Sequence, residues 1–178
     1  GKLAQDVIAL DDEVDRFSLY VIRQLKMAVQ NERMLKEIGL SNPKDCLGYR
    51  VIVKFVERIA DHAVKIAENI IEMGGGIEMS ILKRISEMSL FSVSIFNDAV
   101  KSLYERNYLL ADSVISKAKT ASSMEIELTR LISKKLSATQ ISSLRMIIES
   151  IRRTIEYASD IAEIVLNLNV NQIVESKL

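Results

Sequence analysis

Residues 57–68 read ERIADHAVKIAE and carry the strongest indication of the fold. A shift of ninety-five residues along the chain places this stretch, without a gap, over residues 152–163, which read RRTIEYASDIAE. Five positions are identical in the two copies, and both copies are rich in residues that favour helix. An internal repeat of this kind indicates a protein built from two copies of one helical unit.

The composition of the chain predicts an all-α protein. Apolar residues make up 48% of the sequence, but there is a single proline and no tryptophan, which is typical of long amphipathic helices. Apolar positions alternate at spacings of three and four, as helices packed lengthwise in a bundle require. Glycine, proline and capping residues mark the breaks between helices. These breaks predict five long helices, at 2–38, 43–73, 77–106, 108–135 and 138–170.

The glycine run at 74–76 is expected to divide the chain into repeat one (1–73) and repeat two (77–178). Repeat two has three predicted helices, whereas repeat one has only two. Two helices with apolar seams cannot close a core by themselves, so we expect either a helix before residue 1 or another chain to cover repeat one. A homo-oligomer, such as a dimer, follows from this reasoning. The seam side chains expected to be open are apolar: Val7, Val14, Phe17, Ile52, Val56 and Ile59.

The charge balance argues against nucleic acid as a partner. Lys and Arg together number 24, as do Asp and Glu, so no net charge attracts the chain to nucleic acid or anionic lipid. No apolar run is long enough to span a membrane, and no signal peptide is visible. The single Cys46 cannot form an internal disulfide, which suits a reducing compartment, and it is interpreted as a structural thiol. The sequence therefore predicts a cytoplasmic protein.

Two carboxylate pairs are the candidate site. Asp11 and Asp15 lie four residues apart in the first predicted helix, and Glu57 and Asp61 have the same spacing in the second. Such pairs project from one helix face on adjacent turns, and each pair lies beside an apolar seam. Four carboxylates brought together by antiparallel helices require a compensating cation. Oxygen ligands suit a divalent cation or iron, for example Mg, Mn, Ca or Fe.

An alternative interpretation needs no metal. Arg58 and Lys65 flank the second pair and could neutralise Glu57 and Asp61 as ordinary exposed ion pairs. His62 is the only histidine, and it is interpreted as a surface or half-buried helix residue rather than a ligand.

The motif at 57–68, together with residues 7–15 (VIALDDEVD), resembles the PhoU family of phosphate regulators. The resemblance covers nearly the whole chain. It implies two tandem antiparallel three-helix bundles, of which the first here lacks its first helix. It also implies acidic motifs that can hold metal clusters, and a cytoplasmic negative regulator of phosphate uptake acting through a phosphate transporter and a sensor kinase.

Repeat two departs from the motif of that family. Alignment of Val114 with Val7 puts Ala118 and Ser122 where Asp11 and Asp15 stand in repeat one. In the next helix Arg152 replaces Glu57 and Glu156 replaces Asp61. Arg152 and Glu156 are expected to pair at their spacing of four, as an internal substitute for a cation. Any metal site of this type therefore belongs to repeat one, with the ligands Asp11, Asp15, Glu57 and Asp61.

The sequence predicts a regulatory interaction module rather than an enzyme. No nucleophile–base arrangement is visible, and the glycine run is not followed by the Gly-Lys-Ser/Thr of a phosphate-binding loop. One alternative is the regulatory or oligomerisation domain of a longer transcription regulator, and another is a purely structural helical oligomerisation domain. A metal-dependent enzyme of the ferritin-like type would need Glu-x-x-His pairs on two helices, but residue 59, three before the only histidine, is Ile.

Overall fold

The computed structural model describes residues 1–132 and 136–175, and in these ranges the protein is helical with no strand. This confirms the all-α prediction. The ends predicted at 135 and 178 lie outside the described residues. The helices are α1 (Lys2–Ala28), α2 (Glu32–Glu37), α3 (Asp45–Met73), α4 (Met79–Glu105), α5 (Tyr108–Ala118), α6 (Ala121–Ile132) and α7 (Ala138–Glu175).

Two of the five predicted helices are interrupted, so the prediction of continuous helices there was wrong. Asn31 starts α2 anew because its side-chain oxygen accepts a hydrogen bond from the backbone N–H of Met34 at 3.1 Å. Between α5 and α6, both the hydroxyl and the backbone N–H of Thr120 donate to the carbonyl of Lys117. This local bonding tightens the chain into a turn instead of continuing the helix.

The other breaks follow the sequence signals. Gly39 and Gly74 adopt positive φ angles of 79° and 71°, the left-handed conformation that ends many helices. Ser137 and Gln140 form the predicted capping box, in which the backbone N–H of each residue donates a hydrogen bond to the side-chain oxygen of the other. Helix α3 begins at Asp45, two residues later than predicted, because the Asn42 side chain accepts a hydrogen bond from the backbone N–H of Lys44 in a turn before the helix.

The core is organised around α7, which packs against α3, α4, α5 and α6. Ile155 and Ile161 of α7 are fully buried in this core, together with Met88 of α4. A second, smaller cluster joins the end of α1 to α2 and to the start of α3. Cys46 is buried and free in that cluster, and burial, followed by the charge of Asp45, raises the pKa of its thiol.

A local two-fold relation links α3 and α7, which run antiparallel. The rings of Phe55 and Tyr157 stack with centroids 5.5 Å apart, and His62 Nδ1 lies 3.2 Å from Ser150 Oγ. At the repeat offset of ninety-five residues, Ser150 corresponds to Phe55 and Tyr157 corresponds to His62. The Phe55–Tyr157 contact is therefore the repeat equivalent of the His62–Ser150 contact. The two copies of the repeat therefore meet through equivalent faces of these helices.

One apolar face of α1 stays uncovered, because α1 packs mainly against α3 and the short α2. We call this face the outer stripe; its exposed residues are Leu3, Leu10, Phe17 and Val21, and the half-buried Val7 and Val14 lie at its edge. Phe17 is 68% exposed and Val21 38%. The counterparts of Val7, Val14 and Val21 in repeat two, which are Val114, Ala121 and Leu128, are all buried. They belong to α5 and α6, which contact both α4 and α7.

The apolar groove predicted between the first two helices exposes fewer side chains than the sequence suggested. Ile52 is buried, and Val56 and Ile59 are half-buried against the main core. The prediction that these three side chains are open was wrong, because α3 turns them toward α7 instead of toward a shared groove with α1. Val7 and Val14 of α1 are half-buried too, so Phe17 alone among the six side chains predicted to be open is exposed.

Candidate metal centre

The four predicted carboxylates lie where α1 meets α3. Asp11, Glu57 and Asp61 are half-buried, whereas Asp15 is exposed. The antiparallel packing of these two helices brings the pairs to the same level. Within the described residues, however, no three His, Cys, Asp or Glu side chains converge closely enough to hold a metal ion as they are placed.

Asp11 is the electrostatic centre of this group. Burial raises the pKa of its carboxyl, and the negative charges of Asp15, Asp61, Asp12 and Glu57 raise it further, in that order. Its Oδ1 atom is buried and has no hydrogen-bond partner. A buried carboxylate oxygen without a donor is costly, so this oxygen is free to accept a ligand.

Glu57 already has a cation beside it. The Lys54 ammonium lies 2.5 Å from one carboxylate oxygen of Glu57 and 2.6 Å from the other. All four predicted ligands carry carboxylate oxygens, which suit a hard cation, and the unpartnered oxygen of Asp11 is consistent with one. The chemistry of the donor set therefore suits a divalent cation, but to bind one the carboxylates would have to converge and Glu57 would have to leave Lys54.

The equivalent place in repeat two is filled by a network of ion pairs. Arg152 lies beside Glu156, as predicted, and its Nε is 3.0 Å from a carboxylate oxygen of Glu125 on α6. The Nε–Glu125 contact is an ion pair rather than a directed hydrogen bond. Arg153 also binds Glu156, at 2.8 Å. Arg152 thus supplies positive charge to the two carboxylates that it contacts, those of Glu125 and Glu156.

His62 points away from the acidic cluster toward α7, which agrees with its interpretation as a half-buried helix residue. The His62 ring lies beside the Tyr157 ring. The guanidinium of Arg153 lies over the same Tyr157 ring, 4.8 Å from its centroid. Arg153 donates a hydrogen bond of 2.8 Å to the Tyr157 hydroxyl. Burial, then the charges of Lys65 and Arg153, lower the pKa of His62. This polar cluster belongs to the interface between the repeats.

Sequence reasoning missed two charged groups of the site. Lys54 precedes Glu57 by three residues, a spacing at which helix side chains pair, so this signal was present in the sequence. Glu125 reaches Arg152 from a different helix, and no local pattern indicates that contact. Arg58 and Lys65, proposed above as alternative partners of Glu57 and Asp61, make no ion pair with them in the described part of the chain.

Comparison with known proteins decides the family. The model of the PhoU domain matches residues 1–70 and 85–165. The chain belongs to the PhoU domain family. In the part of this PhoU-domain chain that the structure describes, no helix is both long enough and apolar enough to cross a membrane.

Two relatives illustrate the likeness. The PhoU-domain chain is 29% identical, over 134 residues, to the phosphate-specific transport system accessory protein PhoU homolog of Aquifex aeolicus. That match covers 72% of this chain but only 57% of the relative. The crystal structure of the phosphate transport system regulatory protein PhoU from Streptococcus pneumoniae superposes with a TM-score of 0.79 at 17% identity. It covers 96% of this chain and 80% of that chain, which shows a shared fold.

Proposed function

We propose that this protein is a non-catalytic, cytoplasmic regulator of phosphate uptake that acts by binding other proteins. The observation that carries the proposal is the PhoU-domain match to both halves of the chain, with the acidic motif at the α1–α3 interface. The names of both relatives refer to phosphate transport. The partners that we propose are a phosphate transporter and a sensor kinase.

Deletion of the gene from its own host tests this function. Phosphate uptake in phosphate-rich medium should rise in the deletion strain, because a negative regulator is lost, and the full chain supplied on a plasmid should restore it. Radiolabelled phosphate uptake is the measurement. Unchanged uptake in the deletion strain would contradict the proposal.

We also propose that the protein is a homo-oligomer in which a second copy covers the outer stripe. Exposed apolar stripes of this length mark association surfaces in soluble proteins. The counterparts of the outer stripe in repeat two support the proposal: Leu128 is buried where Val21 is exposed, and Val114 and Ala121 are buried where Val7 and Val14 are only half-buried.

For the acidic cluster we propose a divalent cation or iron bound by Asp11, Asp15, Glu57 and Asp61. When bound, the cation would supply the positive charge that these carboxylates share. Without a cation the neighbouring carboxylates repel Asp11, and Asp11 contributes an oxygen that lacks a hydrogen-bond partner. With a cation bound, the cluster would be a structural centre at the interface of two helices.

Matched substitutions in the two repeats test the metal site. Asp61→Ala should abolish metal binding, because it removes one of four oxygen ligands in repeat one. Glu156→Ala, at the equivalent position, should leave bound metal unchanged, since Arg152 neutralises that place. Elemental analysis of the purified proteins, before and after treatment with a chelator, is the measurement. Metal retained after loss of both Glu57 and Asp61 would refute the assignment.

A further inference from the structure

We propose that Lys54 is a built-in competitor for the cation site of repeat one, which a metal ion must displace from Glu57 in order to bind. This inference rests on the metal site proposed above and names what controls it. It assigns to Lys54 the role of setting the cation affinity of the acidic cluster.

The contacts of Lys54 support competition rather than coexistence. Its ammonium lies within 2.6 Å of both carboxylate oxygens of Glu57, so it occupies both of the atoms that a metal would use. An ammonium and a divalent cation that share those two oxygens would repel each other strongly at such a distance. Binding of a metal through Glu57 therefore requires Lys54 to move away.

Comparison of the two repeats shows an inverted arrangement at the same positions. The repeat offset carries Lys54 to Glu149 and Glu57 to Arg152, so each repeat has one cation and one carboxylate there with the charges exchanged. In repeat two the cation contacts Glu125 and Glu156. Lys54 therefore supplies a positive charge beside Glu57 on α3, and Arg152 supplies one where α7 meets α6.

The two internal cations differ in how firmly they are held. The Arg152 side chain is 21% exposed and joins two carboxylates on two helices, whereas that of Lys54 is 43% exposed and contacts one carboxylate on its own helix. A lysine on a flexible stem gives up such a partner more easily than an arginine whose planar group contacts two. Lys54 is therefore exchangeable, and Arg152 is a fixed counter-ion.

The experiment is a calorimetric titration of the chelator-treated full chain with Mn²⁺. Lys54→Met keeps most of the length of the side chain but removes its charge, and it should bind Mn²⁺ roughly two- to fivefold more tightly than wild type, as expected for the loss of a partly exposed competing ion pair. Lys83→Met on α4 removes one exposed charge elsewhere and should bind as wild type does. Lys54→Arg keeps the competing charge and should bind no more tightly than wild type.

The outcomes separate this inference from the metal proposal. Equal affinity in wild type and Lys54→Met would overturn the role of Lys54 while leaving the metal site standing. Binding by Lys54→Met but not by wild type would support the role of Lys54 and correct the metal proposal for the native chain. Absence of binding in both would overturn both.

A stability measurement keeps the test meaningful if Lys54→Met folds poorly. Without metal, Lys54→Met should melt at a lower temperature than wild type at neutral pH, because Glu57 loses its counter-ion. Added Mn²⁺ should raise the melting temperature of Lys54→Met more than that of wild type. An equal rise in the two proteins would count against competition.

Discussion

Replacement of Ile155 by alanine should lower the free energy of unfolding by about 3 kcal/mol. Ile155 is fully buried in α7, the helix that packs against α3, α4, α5 and α6. The substitution removes buried methyl groups and leaves a cavity that several helices cannot close together. The melting temperature should fall by roughly 6–12 °C for a chain of this size. Urea unfolding followed by circular dichroism measures the change.

Ile126→Ala is the matched control for this prediction. Ile126 has the same chemistry, but it lies on α6 and is 52% exposed. Its replacement should cost well under about 1 kcal/mol, in the range of ordinary surface substitutions. If both variants lost the same stability, the α7-centred core described above would be wrong.

Replacement of Phe17 by glutamate should weaken self-association by roughly 30- to 1000-fold in Kd. Phe17 belongs to the outer stripe and is 68% exposed in the single chain. If a second copy covers the stripe, a symmetric dimer buries this side chain twice. At about 1–2 kcal/mol for each partly exposed ring, the loss amounts to about 2–4 kcal/mol. Sedimentation velocity over a range of concentrations measures it.

Leu90→Glu provides the control for the association. Leu90 of α4 is also 68% exposed but lies outside the outer stripe, so its replacement should leave the dissociation constant unchanged. A wild-type protein that sediments as a monodisperse monomer, and that binds no hydrophobic dye, would contradict the proposed assembly. So would an equal effect of the two substitutions.

Local sequence signals were sufficient to predict the helical fold and most helix boundaries. Gly39, Gly74, Asn107 and the Ser137–Gln140 box act through bonds within a few residues, so the local sequence is sufficient to locate them. The repeat was also visible, because equivalent helices carry similar side chains at equivalent positions. The pairing of Arg152 with Glu156 follows from helix geometry alone.

Tertiary structure alone decided which faces are buried and which charges meet. The seams of α1 and α3 look alike in sequence, yet Ile52 is buried against α7 while Phe17 is exposed, because burial depends on the neighbour that each helix receives. The contact of Glu125 with Arg152 joins two helices. The unpartnered oxygen of Asp11 likewise arises from packing, since spacing places carboxylates on one helix face but long-range packing determines which donors reach them.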